Sequence, residues 1–354
     1  MGVPLVLTRN LPDPSCRLLE VDFSAIEAKL VGYRARLPEV MRLAGLGIHG
    51  ALASHILGKP YDPSASDADL KALFESIKES DFPTYDRAKR AVYGDFYGQT
   101  AYGMMMTFSK DFPTLKVANQ FKKTLHTMAP GIPAWQTAQR ELAYKQNFLG
   151  GPGQHPFGYK HWFWAVLGFR GIPEHVYHKR QRLHEPCAII QGKHYAVVLG
   201  DDAKRCVAFD PQSIAAGILK EALLRLFEPD SPSYIGDAYF GRTPLRAPIH
   251  DSGLFEVPNR CWDRVFERII LEMTRAVPEL PLDWVSEADK ARLGLGSHLS
   301  IGVAAKAGKD WHAMEKLKLP ELSEDEGVNF PMEDLDEEDF DSMRTVWREA
   351  AGAA

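Results

Sequence analysis

The hydrophobic and polar positions of this chain change rhythm several times. CRLLEVDF is a short apolar-rich run and predicts a strand over 18–23, which leads into a helix ending near residue 36. From there to about residue 149 helical spacing dominates; within that block SASDADLKALFESIKESD has a mixed surface and predicts an exposed helix or loop. GGPGQHPFGY is a turn-rich break. Beyond it WFWAVLGF is apolar, CAIIQGKHYAVVL predicts a hairpin around Gly192, and PQSIAAGILKEALLRLF predicts a strong amphipathic helix. LRAPIHDSGLFEVP alternates like two strands meeting at a tight turn, NRCWDRVFERIILEMTRAV is helical, and HLSIGVAAKAG reads as a closing strand. There is no internal repeat. Segregated strands and helices predict an α+β fold rather than a doubly wound sheet.

One helix has an unusual face. In YDRAKRAVYGDFYG, Pro83-Thr84 offers a breaker and an N-cap, with Asp86 in the first turn. Lys89, Tyr93 and Tyr97 recur at steps of four and share one side. Gly94 and Gly98 interrupt it, each costing about 1 kcal/mol relative to alanine. Two aspartates are also notable: Asp22 ends an apolar strand, and Asp251 follows His250 at the turn of an apolar hairpin. A carboxylate there is costly unless it binds something. Taken singly, Asp22 reads equally as a helix cap and Asp251 as a turn residue. Together across a sheet they could hold a pair of Mg²⁺ ions, which need few carboxylates when substrate phosphates complete the shell.

Charge adds a partner class. Of 354 residues, 47 are acidic and 42 basic, but 12 acids and 2 bases fall from Glu321 onward, leaving the body at +5. A mildly basic body with an acidic tail suits a polyanionic partner. SEDEGVNFPMEDLDEEDF is too acidic to fold alone, so 321–354 is expected to be disordered. Its Phe330, Met332, Leu335 and Phe340 suit docking on a basic, partly apolar partner surface, and a purely solubilising tail is the open alternative. No run of about 18 apolar residues predicts a membrane span. The four cysteines form no C-x-x-C pair, and the first residues lack signal-peptide features; reduced thiols and a cytoplasmic location are expected.

Three blocks together resemble the polymerase motifs of family A DNA polymerases, the DNA polymerase I family. VDFSAIEAKL (21–30) resembles motif A, D-Y-S-x-I-E; RAKRAVYGDFYG (87–98) resembles motif B, K-x-x-x-[FY]-G-x-x-Y-G; IHDS (249–252) resembles motif C, usually H-D-E. GIHGALASHILGKP, PQSIAAGILKEA and AKAGKDWHAMEKL resemble three further blocks, and all six keep the family's order and spacing over 17–317. The resemblance implies a palm, an antiparallel sheet with flanking helices, and helical fingers. It implies template-directed addition of dNTPs to a primer 3′-hydroxyl, with Asp22, Asp251 and the Phe23 backbone carbonyl on two Mg²⁺ ions, or Mn²⁺ in their place. Lys89 would meet the triphosphate, Tyr93 would pack on sugar and base, Glu27 would block a 2′-hydroxyl, and His49 would lie near the triphosphate. Tyr97 and Gly98 would face the templating base, Lys204 and Gln212 the minor groove of primer-template DNA, and His250 the primer terminus.

There are departures. Tyr85 stands where the family has an arginine, so one triphosphate contact would come from elsewhere. Ser252 replaces the usual motif C glutamate, Ala208 an asparagine and Lys204 an arginine; Tyr159-Lys160-His161 stand where G-R-R-R is usual. The expected layout is 1–30, first palm part; 31–195, fingers with motif B and an inserted hairpin; 196–320, second palm part; 321–354, acidic tail. No thumb or exonuclease is expected in this chain. The reading is therefore the palm/fingers subunit of a split, viral-type polymerase working in the host cytoplasm. A second polypeptide would supply the thumb, the remaining palm and a candidate 3′–5′ exonuclease. Strand 18–23 is accordingly expected at an unpaired sheet edge that a partner completes. Two alternatives stay open: an enzyme like the single-subunit RNA polymerases, whose phage members H-D-S also resembles, and a degenerate, non-catalytic replisome scaffold.

Overall fold

In the computed structural model, strand β1 (Cys16–Phe23) is the centre of an antiparallel sheet rather than its edge. Residues 16–231, 233–235 and 245–319 are described; the acidic tail and its docking segment lie outside them. The sheet has the order β10-β9-β1-β8-β7, with β7 at Leu245–Ile249, β8 at Ser252–Pro258, β9 at Val303–Gly308 and β10 at Glu315–Lys316. Leu19 lies opposite Phe255 and Ala307, and Val21 opposite Gly253 and Ala305. Facing residues share a side of the sheet. This side is buried under helices α10 (Asp202–Phe227) and α11 (Trp262–Thr274). The opposite side carries Glu20 and Asp22, facing Lys306 and Ala304 on β9 and Leu254 and Ser252 on β8. The expected free edge at 18–23 is thus corrected: the closing strand of VAAKAG returns against β1 and satisfies its second side.

Between β1 and α10 the chain is mostly helical: α1 (Ile26–Arg34), α2 (Pro38–Leu46), α3 (Ile48–Ile56), α4 (Asp67–Ser80), α5 (Phe82–Phe96), α6 (Ala101–Thr107), α7 (Leu115–Met128) and α8 (Gly131–Gln146). They share a second core that includes Leu52, Phe74, Phe96, Phe112 and Leu125. The mixed segment near residue 70 is helix α4, capped by Ser66, whose hydroxyl accepts from the Asp69 amide at 3.1 Å. Its Leu70, Phe74 and Ile77 are buried, so helical spacing prevails there over surface polarity. Helix α5 starts earlier than the sequence predicts. Asp81 caps it, accepting from the Thr84 amide at 3.1 Å, and Pro83 falls in the first turn, where its missing N–H costs nothing.

The expected hairpin is present as β5 (Cys187–Ile190) and β6 (Lys193–Leu199), turning at Gln191 and Gly192, both with positive φ. Strand β4 (Leu167–Gly171) adds a third strand, and helix α9 (Glu174–Arg182) lies between β4 and β5 in the chain. A two-stranded ribbon, β2 (Phe148–Gly150) with β3 (Lys160–Trp162), precedes them. Helix α10 begins at Asp202, so Pro211 lies inside it rather than at its start. Among the described residues, no helix is long and apolar enough to cross a membrane.

Candidate active site

The hairpin β7–β8 and the end of β1 bring the two aspartates together. Ile249 faces Ser252 across a two-residue turn of His250 and Asp251, and His250 takes a φ of 57° as such a turn requires. Asp22 lies opposite Ser252 in the ladder, and the Phe23 amide donates to the Asp251 carbonyl at 3.3 Å. The two carboxyl groups are in hydrogen-bonding contact. Burial pushes the Asp22 carboxyl up to about 6, helped by the nearby charges of Asp251 and Glu20 and opposed by Lys306. Glu20 is itself held by the Trp311 indole N–H, at 3.0 Å. His250 is exposed, with Nδ1 3.2 Å from the Asp251 carboxylate.

Helix α5 presents its polar side toward this pair. Burial pushes the Tyr93 phenol up to about 12, with Glu27, Asp251 and Asp22 among the nearby charges that add to the shift. Burial also raises Tyr97, whose hydroxyl hydrogen-bonds Glu27 and Gln212. Lys89, Tyr93, Gly94 and Tyr97 line a cleft of about 570 Å³ together with Lys204 and Ala208 of α10. The step-of-four face expected from the sequence is therefore the wall of an open cleft. His49 packs against Tyr93, ring centroids 5.2 Å apart, and against Tyr85 at 6.1 Å. Burial, then the charge of Lys89, pulls the His49 imidazole down to about 4, and its Nδ1 has no hydrogen-bond partner. A buried ring nitrogen without a partner is an anomaly in a packed interior.

Gly98 has a conformational reason within the chain. It follows α5 with φ +71°, and a Cβ there would meet Arg140 Nη2 at 2.6 Å. A Cβ on Gly94 would meet the Gln99 side chain at 2.6 Å.

Sequence reading missed Asp95. It is 0% exposed on the inner side of α5, where Lys122 and His126 of α7 hold its carboxylate and the Gln136 amide donates to its backbone carbonyl. The signal was available: Ala88, Ala91, Val92 and Phe96 mark a core stripe on which residue 95 falls, and a carboxylate on such a stripe demands a partner.

The donor set suits Mg²⁺ or Mn²⁺. The Asp251 carboxylate adds to the cost of ionising Asp22, and a divalent cation would relieve it with hard oxygen ligands. No group of three or more metal-ligating side chains occurs among the described residues, so substrate oxygens would have to complete the shell.

No protein-family model and no curated protein sequence matches the chain. Among solved structures it is similar to the POL domain of Pol1 from M. smegmatis in complex with DNA primer-template and dNTP, at a TM-score of 0.54 and 17% identity. The match covers 84% of this chain and 40% of that one, so this chain spans less than half of that neighbour's length. The likeness concerns the fold, a mixed helix and antiparallel-sheet arrangement like that of a DNA polymerase domain.

Proposed function

We propose that this chain performs template-directed DNA synthesis, adding dNTPs to a primer 3′-hydroxyl by two-metal phosphoryl transfer, with the sheet as palm and the helical unit as fingers. The observation that carries this reading is the convergence of Asp22 and Asp251 on one end of the sheet, facing the Lys89–Tyr93–Tyr97 side of α5. Asp22, Asp251 and the Phe23 carbonyl would hold Mg²⁺, which when bound acidifies the 3′-hydroxyl and neutralises the departing pyrophosphate.

The remaining roles belong to side chains. Lys89 is exposed at the cleft and meets the triphosphate as a point charge. His49, held neutral, offers a ring nitrogen beside it. Tyr93 gives a flat wall for sugar and base. Glu27, anchored by the Tyr97 hydroxyl, stands where a 2′-hydroxyl would go, which favours deoxynucleotides over the RNA polymerase alternative. Tyr97 lies toward the templating base, Lys204 and Gln212 of α10 toward the duplex, and His250 toward the primer terminus. Most of the neighbour's length is unmatched, so we further propose that a thumb-like module completes the grip on the duplex, in this polypeptide or in a second one.

Primer extension tests the core of this reading. Extension should require a divalent cation and fail in Asp22→Asn and Asp251→Asn, while the affinity for primer-template stays near wild type. Extension by either variant at more than a few percent of wild type refutes the assignment, and wild type that binds DNA but never extends it favours the scaffold reading.

A further inference from the structure

Next to the cleft lies the segment KHWFW. Phe163 is buried and packs on Phe209, and His161, itself exposed, packs on both. Lys160, Trp162 and Trp164 take the other side, as a period of two requires. Trp162 is 48% and Trp164 74% exposed, and their rings stack within 3° of parallel, centroids 5.5 Å apart. The Lys160 ammonium sits 3.9 Å from the Phe148 ring centroid and 4.4 Å from that of Trp162. Soluble proteins rarely leave a tryptophan pair open to water without a use for it.

The strip is also held in place. Asp202, at the start of α10, accepts the Trp164 and Ala165 amides on one carboxylate oxygen, both at 3.0 Å, and Arg205 on the other at 2.9 Å. Arg205 reaches His161 at 3.5 Å and lines the cleft beside Lys204. One buried carboxylate therefore fixes the aromatic strip and a cleft-facing cation in a single unit.

We propose that the Lys160–Trp162–Trp164 strip is a binding platform for single-stranded DNA, which carries unpaired template bases to the cleft. A base stacks on the open face of Trp164, and Lys160 and Arg205 meet the flanking phosphates. Aromatic rings alternating with cations are the chemistry that binds single strands without reading sequence, since every base offers a π-face. Charge complementarity and continuity with the cleft favour this occupant over a protein surface. The inference rests on the polymerase reading only for the word template; single-strand binding stands without it.

The test uses the full chain with EDTA and no dNTP, so it does not depend on synthesis. An oligo(dT) should quench tryptophan fluorescence, and Trp164→Ala should weaken binding roughly 5- to 150-fold. Trp164→Phe should recover most of that loss, Lys160→Ala should flatten the salt dependence, and Phe169→Ala, on the separate β4-β6-β5 sheet, should change nothing. Unaltered oligo(dT) affinity in Trp164→Ala overturns the proposal, as does an equal loss toward blunt duplex. Concentration-dependent self-association that Trp164→Ala abolishes would assign the strip to a second copy of the chain and also overturn it. If wild type fails to bind oligo(dT) yet extends primers, this proposal falls and the polymerase reading survives.

Discussion

Asp95 gives the sharpest test of how α5 is held. Its carboxylate is fully buried, whereas the Lys122 side chain is 19% exposed. His126 Nε2 lies 3.1 and 2.9 Å from the two carboxylate oxygens, so it donates, and Lys122 also donates to the Gln99 carbonyl at 2.9 Å. The two halves of this cluster should respond unequally. Asp95→Asn loses charge-assisted hydrogen bonds but also relieves the burial of a carboxylate, and Lys122 can extend to water; a net loss of about 1–3 kcal/mol is expected. Lys122→Met strands that carboxylate in the core with His126 alone, and breaking a buried pair from this side costs about 3–5 kcal/mol. Urea unfolding gives the global values, and amide hydrogen exchange along α5 shows whether the loss is local. The expected order is Lys122→Met worse than Asp95→Asn, with faster exchange along α5 in both. The reverse order, or unchanged exchange, would show that something other than this carboxylate anchors the helix.

Three further outcomes follow from the site. The Asp22 carboxyl is raised from 3.8 to about 6, so the folded state holds that proton more tightly than the unfolded chain; its contribution favours folding at low pH and is lost as pH rises through that window. Without divalent cations the unfolding midpoint should therefore fall more steeply over that window in wild type than in Asp22→Asn, and identical slopes would refute the coupling. Tyr97→Phe removes the hydroxyl that holds Glu27, and a bond to a charged group is worth about 1.5–3 kcal/mol. Ribonucleotide discrimination should drop on the order of 10-fold as Glu27 loosens; an unchanged dNTP-to-NTP ratio would place the selection elsewhere. Gly98→Ala imposes a left-handed conformation on a residue with a Cβ, at about 1–2 kcal/mol, and drives Arg140 off the Ala203 carbonyl, now 3.2 Å away. Retained stability in thermal unfolding would contradict that packing.

Where the sequence was legible, the determinants were local. Helix α5, the β5–β6 hairpin and helix α11 follow from spacing and turn formers within a few residues. Long-range pairing was not legible: strand 18–23 was expected at an edge because part of the palm was assigned to a second polypeptide, and nothing in VAAKAG says that it returns to flank β1. Helix α9 hid because only Tyr177 of EHVYHKRQR is buried, leaving no apolar stripe to find. Helix α10 was cut short because Pro211 reads as a start. The pairing of Asp22 with Asp251 was suggested by two carboxylates at apolar strand ends and strengthened by the resemblance of three blocks to polymerase motifs; each residue alone is an ordinary cap or turn. The polar pattern of α5 points to its outward face, whereas the anomaly at Asp95 lies on its inward one.

Helix α10 explains how the distant parts of this site stay in register. Its second half, from Ile214 to Leu226, belongs to the core under the sheet, while Cys206 and Val207 in its first half belong to the helical core. Of three contacts with neighbouring parts, two fall beside the junction and one at the helix start. Arg34 of α1 pairs with Asp210 at 2.7 Å, Gln212 meets Tyr97, and the Ala203 carbonyl accepts from Arg140. Pro211 sits at that same junction, and with no N–H to offer it leaves the Val207 carbonyl without its helical partner. The two cores are thus joined through the point where the helix is weakest. A rigid helix would fix the separation between the cleft wall of Lys204 and Ala208 and the aspartates on the sheet. Proline inside a helix removes one ladder bond, and the Arg34–Asp210 pair, one residue before it, ties α10 to α1 at that turn. The position that reads in the sequence as a helix start is, in the fold, the junction between the two cores.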